Sequence, residues 1–544
     1  MAKEKFQSKS GFILASIGAS VGLGNALRFP GLCASYGGGA FLLIYFVALV
    51  VLGVPVLNAE IALGRRFGGG APNCLASVIM QRTAKFGGGT SAQNQTLKQH
   101  KIMSTPRYMS YLTQFKGFSA RLGKGVGWAS GINSVFTAFI YAGLAGWIIS
   151  TAVIIAPVSI SAPNLSDGQI SGLFFDSVLC AREDGVISGF SLLVAAGIAL
   201  AWLFMYFCLR GGAKSLSKAA KFTVIIPMVL LTVLAVRGLM YKNSAQALAA
   251  LFVPDFSAFS SPQIWLSALG QVFFSLSVAV GIMPAYGAYL PEGTNIFSCS
   301  LVIAAADFFV SVLASVVLFT TLYGCGLQSQ IGSSGIITAF AVYPVAISRL
   351  FGGITALNAI TGVLFYLSLA MMAVQSAVSM LEAFVSPFSA ESGKPKKRIA
   401  GMICILGLPL TLIFATTAAP TAADISDRFV NFYNVLILGI AECLILALCD
   451  KYNPLINEIN KFSRRLKMPK RAFGASVKFL CPAVLISLTS LEVFRLALNG
   501  LGYPLWVQLA FGWGLSLIIF VVPLILVKKY PPIYGGFKNL SPVI

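Results

Sequence analysis

The chain has 544 residues, of which 57% are hydrophobic and only 10% are charged, whereas a soluble domain carries about 25% charged residues. Apolar runs of about 20 residues, the length that spans a bilayer, recur along the sequence; this excludes a string of soluble domains and predicts a polytopic membrane protein. The formal net charge of +22 lies mostly in segments expected on the cytoplasmic side, where it follows the positive-inside rule and contacts anionic membrane lipid, so it predicts no nucleic-acid partner.

Twelve membrane spans are predicted in chain order between a cytoplasmic N-terminal segment at 1–10 and a cytoplasmic C-terminal tail at 528–544. The spans cover residues 11–34, 38–63, 130–157, 186–208, 217–237, 263–290, 296–324, 353–387, 398–416, 427–449, 474–495 and 503–527. An even number of spans places both termini in the cytoplasm, for a multi-pass protein of the plasma (inner) membrane. The sequence has one histidine and no C-x-x-C pair, which argues against an enzyme or a transition-metal site.

The connection at 64–129, between the second and third spans, has an unusual composition. It carries ten Lys and Arg residues, no Asp or Glu, and two glycine triplets, at 68–70 and 87–89. We therefore expect a solvated, lipid-facing and partly disordered loop with room for one short helix.

Two of the spans are interrupted. Residues 18–30 have the sequence GASVGLGNALRFP, in which three of the first seven residues are glycine. Residues 270–293 are interrupted midway by small, polar and helix-breaking residues, namely Ser275, Ser277, Gly281 and Pro284. The glycines could serve close helix packing instead, but paired broken spans in corresponding positions of two halves indicate a transporter with inverted repeats. The halves would be residues 11–237 and 263–449, with two added spans at 474–527.

A broken helix at membrane depth exposes backbone groups that lipid cannot satisfy, so it has to face protein or line a cavity. Unwound carbonyl groups between Gly18 and Gly24 would face a cation. The N–H groups of the half-helix that begins near Gly24 would face an anion. The first break therefore predicts a sodium ion beside a carboxylate.

Four segments resemble the neurotransmitter:sodium symporter family. The long first motif, GASVGLGNALRFP followed by YGGGAFLLIYFVALVVLGVPVLNAEIALG, resembles the first two spans of that family. YAGLAGW at 141–147, GQVFFSLSVAVG at 270–281 and AVSMLEAFVS at 377–386 resemble its third, sixth and eighth spans. The resemblance covers nearly the whole chain. It implies an all-α, leucine-transporter-like fold with twelve transmembrane helices: a 5+5 inverted repeat with broken helices 1 and 6, plus two extra helices. The loop at 64–129 would be an insertion relative to bacterial members.

The resemblance implies two sodium sites. The first would be formed by Ser20, Asn25, Ser275 and Asp307, and the second by Gly18, Val21, Met372, Gln375 and Ser376. Two of these positions depart from the family: Asp307 stands where Asn is usual, and Gln375 stands where Thr or Asp is usual. An ionisable residue in a span is a functional candidate in its own right. Asp307 could strengthen sodium binding, take up a proton or relax the choice of cation.

The resemblance also bears on chloride. The positions that bind chloride in dependent members are occupied here by Tyr45, Gln271, Ser275 and Ser311. A carboxylate at Asp307 would repel chloride and replace its charge, so we expect chloride independence, although the positions would allow the anion.

The substrate implied by the resemblance is an amino acid, because Gly22 occupies the position where amine-transporting members carry Asp. The implied substrate-binding residues are Ser20, Gly22, Leu23, Gly24, Thr137, Tyr141, Phe274, Ser277, Val280, Ser376 and Met380. Val280 stands where the leucine-binding bacterial member has Phe, which leaves room for a larger apolar or aromatic side chain. Ala279 replaces a usual glycine, so we expect a shorter break in the sixth span.

The family's gates map onto further residues. Arg28 and Asp427, the latter expected at the start of the tenth span, would form the extracellular gate. On the cytoplasmic side Lys3 and Phe6 would latch the first span, with Glu391 as a substitute for the family's usual acid. Glu60, deep in the second span, would hydrogen-bond the exposed backbone of the broken helices.

The function that follows is sodium-coupled import of a neutral, apolar or aromatic amino acid by alternating access. One alternative is a non-transporting amino-acid sensor on the same fold. Another is a symporter that uses other cations or protons through Asp307. The expected partners are the amino acid, one or two sodium ions and membrane lipid; the oligomeric state stays open.

Overall fold

The computed structural model describes residues 5–87, 106–179, 186–327, 338–449, 454–464 and 466–532. Within these ranges the chain is helical and contains no β-strand beyond two isolated bridges. Ten helices there are long and apolar enough to cross a membrane, and one further span is a pair of helices bent by 52°. The predicted all-α membrane architecture is therefore confirmed.

The first span is broken where its glycines predict a break. Helix α1 (Lys9–Ser20) stops, and the chain continues as a π-helical turn (Gly24–Arg28) that leads into α2 (Phe29–Ser35). Val21 has an extended backbone at the end of α1. The helical axis is thus interrupted over residues 21–23, in the middle of the bundle.

In the described ranges, eight further helices precede the sixth span. These are α3 (Gly39–Ala48), α4 (Val54–Phe67), α5 (Gly70–Gly87), α6 (Pro106–Ser161), α7 (Asp167–Phe174), α8 (Leu192–Leu209), α9 (Gly212–Leu239) and α10 (Ser244–Phe252). A π-helical turn (Leu49–Gly53) joins α3 to α4, so the two helices form one span.

The sixth span is also broken, into α11 (Pro262–Ser275) and α12 (Ile282–Ala288). Ser277, Ala279 and Gly281 between them have φ angles of 52°, 64° and 78°. Ala279 lies inside the break in the left-handed region, which costs an L-residue roughly 1 kcal/mol; that it shortens the break relative to the family stays a prediction. Its N–H donates a 2.6 Å hydrogen bond to Glu60 Oε1, which helps to hold that conformation.

The second half and the added spans follow in order. They are α13 (Ile296–Gly324), α14 (Tyr343–Ser348), α15 (Thr355–Ser392), α16 (Lys396–Thr411), α17 (Ala419–Asp427), α18 (Asn434–Cys449), α19 (Pro454–Asn460), α20 (Lys470–Ala475), α21 (Cys481–Asn499), α22 (Leu505–Val507) and α23 (Gly514–Lys529). A π-helical segment (Arg428–Tyr433) joins α17 to α18 within one span. The tenth span therefore begins at Ala419, and the expectation that Asp427 starts it is wrong: Asp427 lies more than two turns into the helix.

The expectation of a partly disordered loop at 64–129 is wrong for residues 70–87 and 106–129, which are helical; residues 88–105 lie outside the described residues. Positive φ angles at Gly68, Gly69 and Gly70 turn the chain from α4 directly into α5. Helix α6 begins at Pro106 and runs without interruption through the third span. Apolar residues at 71, 74, 75, 78 and 79 lie on one face of α5 and are buried, a helical period that the basic flanks obscured.

The glycines at 123 and 127 explain how α6 packs on α5. A Cβ atom at Gly127 would lie 2.5 Å from backbone atoms of Ala71 and Pro72, and one at Gly123 would lie 3.0 Å from the Leu75 carbonyl oxygen. Small residues four apart let two helices approach closely. This glycine-rich stretch is therefore a helix–helix contact.

Two ends of the bundle are distinguished below. The N-terminal side is the end that carries Lys5 and Phe6, and the far side is the opposite end, near Asp424. Helices α6 and α15 are largely buried, whereas α21 and α23 are largely exposed at the periphery. The two breaks face each other between these ends, where Ser277 Oγ donates a 3.0 Å hydrogen bond to the Ala19 carbonyl.

Candidate functional site

The centre of the site is a cluster of polar side chains from both broken spans and α13. Asp307 Oδ1 accepts hydrogen bonds from Asn25 Nδ2 at 2.8 Å and Ser275 Oγ at 2.7 Å. Asp307 Oδ2 accepts one from the Tyr45 hydroxyl at 2.9 Å. Ser311 Oγ donates to the Asp307 carbonyl oxygen at 2.8 Å. Side chains from three other helical segments thus converge on one carboxylate of α13.

This carboxylate is fully buried and its hydrogen-bond donors are all neutral. Asp307 is 0% exposed, and no Lys or Arg pairs with it among the described residues. A buried charge without a cationic partner is costly, and a bound cation would remove that cost. The donor set of carboxylate, hydroxyl and amide oxygens suits a hard cation such as sodium. The described residues contain no cluster of three His, Cys, Asp or Glu side chains that could hold a metal ion.

Three of the four positions expected to bind chloride, Tyr45, Ser275 and Ser311, contact Asp307. Tyr45 and Ser275 donate to Asp307. At the remaining position, the amide nitrogen Nε2 of Gln271 lies 3.5 Å from the Gly24 carbonyl oxygen. The hydroxyl donors that an anion would need are therefore directed at Asp307.

The residues expected at the second sodium site also come together, between α1, α9 and α15. Ser376 Oγ donates to the Gly18 carbonyl at 3.3 Å. Gln375 Oε1 accepts a 2.9 Å hydrogen bond from the Thr223 hydroxyl. The amide nitrogen of Gln375, Nε2, has no hydrogen-bond partner in the described part of the chain, although the side chain is fully buried. Val21 and Met372 are buried beside them.

Two small adjoining cavities lie between the breaks. One, of about 10 Å³, is lined by both broken spans and by Tyr141 and Ser376; the other, of about 20 Å³, is lined by Thr137 and Val280 among others. Phe274, Ser277 and Met380 line both cavities. With Ser20, Gly22 and Gly24 in the first cavity, every implied substrate-binding residue lines one of the two except Leu23.

Two of these residues show why the sequence takes its form here. A Cβ atom at Gly22 would lie 2.6 Å from Ser376 Oγ, so with Ser376 in its present rotamer glycine lets the first break contact α15. The Tyr141 hydroxyl forms no hydrogen bond within the described residues, although Tyr141 is only 5% exposed. Its donor is therefore available to a ligand.

Sequence reasoning missed two polar residues of the second cavity, Ser134 and Asn431. Ser134 Oγ donates to the Val280 carbonyl at 2.5 Å. Asn431 accepts a 2.6 Å hydrogen bond from Thr137 and donates a 2.7 Å hydrogen bond to Asp427. The available signal was an amide one turn after Asp427 in an otherwise apolar span.

A larger cavity of about 180 Å³ leads from the site toward the far side. It is lined by Arg28 and Asp427, the expected gate pair, together with Leu23, Tyr141 and Asp424. Arg28 and Asp427 are both described and form no ion pair with each other. The Arg28 guanidinium instead lies over the Phe274 ring, 5.2 Å from its centroid. The two charges of the expected gate are therefore unpaired with each other in this structure.

The N-terminal side is closed by aromatic packing and a buried ion pair. Phe6 packs edge-on against Tyr286 and Tyr289, with ring centroids 5.7 and 6.0 Å apart. Lys396 Nζ lies 2.6 Å from the fully buried Glu382 carboxylate and also contacts the Tyr289 hydroxyl. The sequence analysis missed the Glu382–Lys396 pair, whose members lie fourteen positions apart across a helix end.

The expected role of Glu391 needs correction. Glu391 forms a buried ion pair with Lys124 of α6 at 2.7 Å, so its carboxylate is taken by a cation from the third span. Lys3, its expected partner, lies outside the described residues. Lys5 pairs instead with Glu292, and this cation lowers the pKa of the exposed Glu292 carboxyl.

Comparison with known proteins gives consistent matches over most of the chain. The model of the Sodium:neurotransmitter symporter family matches residues 3–83 and 183–531. An uncharacterized sodium-dependent transporter of Methanocaldococcus jannaschii is 28% identical over 541 residues, or 97% of this chain and 98% of that protein. The sodium- and chloride-dependent taurine transporter of Rattus norvegicus is 26% identical, over 96% of this chain and 84% of that protein. The crystal structure of MhsT in complex with L-phenylalanine shares the fold, with a TM-score of 0.66 at 22% identity over 90% of this chain and 99% of MhsT.

Proposed function

Because this chain belongs to the sodium:neurotransmitter symporter family, and is a transporter rather than an enzyme, we propose that it imports a neutral amino acid with an apolar or aromatic side chain together with sodium. The observation that carries the proposal is the buried Asp307 carboxylate, surrounded by neutral donors and adjoining the cavity between the two breaks. Two relatives are named as sodium-dependent, and MhsT was crystallised with L-phenylalanine.

Sodium would bind at the Asp307 cluster. Asp307, Asn25 and Ser275 supply side-chain oxygens, and Ser20 ends α1 where its carbonyl lies beside them. The carboxylate charge offsets the cation in a site without water, where electrostatic attraction is strongest. Asn25 Oδ1 now accepts a hydrogen bond from the Gly22 N–H, so the amide has to rotate for its oxygen to join the ion.

The substrate carboxylate would occupy the cavity at the first break. The free hydroxyl of Tyr141 and the N–H groups near Leu23 and Gly24 are donors for it. The ammonium group would meet backbone carbonyls around Ser20 and Phe274. The side chain would extend into the second cavity, beside Thr137 and Val280, where apolar walls favour an apolar or aromatic group.

Alternating access follows from the state of the two ends. With the N-terminal side in the cytoplasm, the cavity at Arg28 and Asp427 opens outward and the packing of Phe6 on Tyr289 closes the inner end. Sodium would favour this outward-open state, and substrate would complete the site before the bundle rocks inward. A ligand can drive such a change only through different affinities for the two states. The membrane potential contributes about 2.3 kcal/mol per charge per 100 mV.

Asp307 also leads us to propose chloride independence. It takes the donors of Tyr45 and Ser275 and supplies a fixed negative charge in place of the anion. A second sodium ion would bind at Gly18, Gln375 and Ser376. The side chain of Gln375 is longer than the Thr or Asp that is usual in the family at this position.

The decisive experiment is amino-acid uptake into proteoliposomes that contain the purified full-length chain. An inward sodium gradient should drive accumulation of L-phenylalanine, used as the probe, and uptake should be equal with chloride or gluconate as the anion. Binding without accumulation would instead identify a sensor. Equal uptake with a potassium or proton gradient would assign the coupling ion differently. Asp307 is the specific observation that makes that last outcome worth testing.

A further inference from the structure

We propose that Asn431 connects the substrate side-chain cavity to the far-side gate by holding Asp427 away from Arg28 until a substrate side chain is bound. The inference rests on the proposed function and concerns the same site. It makes Asn431 a positioning residue of the gate, and Thr137 the residue through which the cavity acts on it.

The orientation of the Asn431 amide follows from its two partners. An ionised carboxylate can only accept hydrogen bonds, so the nitrogen of Asn431 faces Asp427 Oδ1 at 2.7 Å. The amide oxygen therefore accepts from the Thr137 hydroxyl at 2.6 Å. Both Asn431 and Thr137 are only 4% exposed. A continuous chain of hydrogen bonds thus joins the cavity wall to the gate carboxylate.

This chain of hydrogen bonds keeps the two gate charges apart. Asp427 is bonded to Asn431, one turn further along its own helix, while Arg28 lies against the Phe274 ring. Arg28 and Asp427 line the same 180 Å³ cavity, and each now contacts another residue instead of the other. Gate closure requires Asp427 to exchange Asn431 for Arg28.

The cavity supplies a trigger for the exchange. Its volume of about 20 Å³ is too small for an amino-acid side chain, so binding has to push its walls apart, and Thr137 and Asn431 lie on different helices of that wall. Thr137 has a second acceptor at hand, because its hydroxyl lies 3.1 Å from the Asn133 carbonyl of its own helix. It can therefore leave Asn431 without losing a hydrogen bond.

The segment that carries Asn431 is suited to such a movement. Residues Arg428–Tyr433 form a π-helical segment between α17 and α18. Single π-helical turns inside α-helices are frequent at functional sites. A small rearrangement there would move Asn431 and free Asp427 together.

The test measures how accessible the far-side cavity is, independently of transport. Leu144, which lines that cavity and is half-buried, is replaced by cysteine in the full-length chain in lipid nanodiscs. The chain without Leu144→Cys gives the background from native cysteines. A charged methanethiosulfonate reagent then labels the cavity in sodium without substrate.

Asn431→Leu should release Asp427 to Arg28, close the cavity without substrate and slow labelling about tenfold, the effect of one hydrogen bond to a charged group. Thr137→Val, a second and milder variant, should slow it less. Adding Arg28→Ala to Asn431→Leu should restore labelling, since the freed Asp427 then has no cation to pair with. Asn434→Leu is the matched control: it is a buried amide three positions on, facing a different cavity, and should label as the parent does.

Unchanged labelling in both Asn431→Leu and Thr137→Val would overturn the proposal. So would an equal decrease in Asn434→Leu, or a decrease that persists after Arg28→Ala, because either would indicate a general loss of structure. Sodium-driven uptake by the parent chain, reconstituted in proteoliposomes, is scored separately. A chain that labels as expected but fails to accumulate amino acid would refute the transport function and leave the gate connection standing.

Discussion

The replacement Asp307→Asn tests the ion chemistry most directly. It removes one negative charge from a side chain that is 0% exposed and accepts three hydrogen bonds from neutral donors. Two unit charges about 4 Å apart interact with about 4 kcal/mol at an effective dielectric constant of 20. Part of this is retained because asparagine still offers one oxygen to the cation. We therefore expect a net loss of about 3 kcal/mol, or roughly a 100-fold weaker sodium affinity.

The assay is the sodium concentration required for half-maximal thermal stabilisation by L-phenylalanine, measured in gluconate and in chloride. The variant should need about 100-fold more sodium in gluconate. Chloride should recover part of this, because the hydroxyls of Tyr45 and Ser275 are then free to bind an anion. Asp255→Asn is the control: Asp255 is an exposed acid outside the spans that receives hydrogen bonds only from Ser257. If Asp307→Asn keeps the sodium requirement, the indifference to chloride and the cation preference of the parent, the reasoning is wrong.

Three further predictions concern other parts of the site. Tyr141→Phe removes a hydroxyl that has no hydrogen-bond partner within the described residues. It should weaken L-phenylalanine binding about tenfold or more at saturating sodium and leave the melting temperature unchanged. Equal affinity of the variant and the parent in equilibrium binding would exclude this hydroxyl as a substrate donor. Ala279→Gly should raise the free energy of unfolding by about 0.5–1 kcal/mol by relieving the positive φ, and Ala279→Val should lower it; chemical denaturation checks this, and a destabilised Gly variant would contradict the assignment of strain. Lys396→Met leaves Glu382 charged and buried, which should cost about 3 kcal/mol, and adding Glu382→Gln should recover most of it; identical melting of the single and double variants would refute a structural ion pair.

How far sequence alone reaches is shown by the segment at 64–129. Its buried apolar positions recur with a helical period, so the helix Gly70–Gly87 was predictable in principle. The ten basic residues and two glycine triplets outweighed that signal. Glycine at 68–70 does end a helix, as expected, but glycine at 123 and 127 does the opposite and lets two helices touch. The presence of glycine in a sequence does not distinguish a helix end from a helix–helix contact, because the difference lies in which part of the folded chain packs against it.

The candidate site divides in the same way. Asn25, Asp307 and Tyr141 were identifiable because the motifs around them are long and because a polar group inside an apolar span is rare. Asn431 and the Glu382–Lys396 pair were not identifiable from the sequence, because the partner of each residue is brought near it only by the packing of the helices. Asp427 was identified as a gate residue, but its place in the helix was wrong by more than two turns.

From the sequence alone it follows that this protein spans a membrane and that its first and sixth spans break, and a cation site at the breaks is predicted. These conclusions rest on composition and local conformational preference, which act residue by residue. The packing of the helices was needed to show that Asp307 accepts hydrogen bonds from Tyr45, Asn25 and Ser275, and that Asn431 bonds to both Thr137 and Asp427. Those contacts join residues up to about 300 positions apart, and their geometry exists only once the helices have packed against one another.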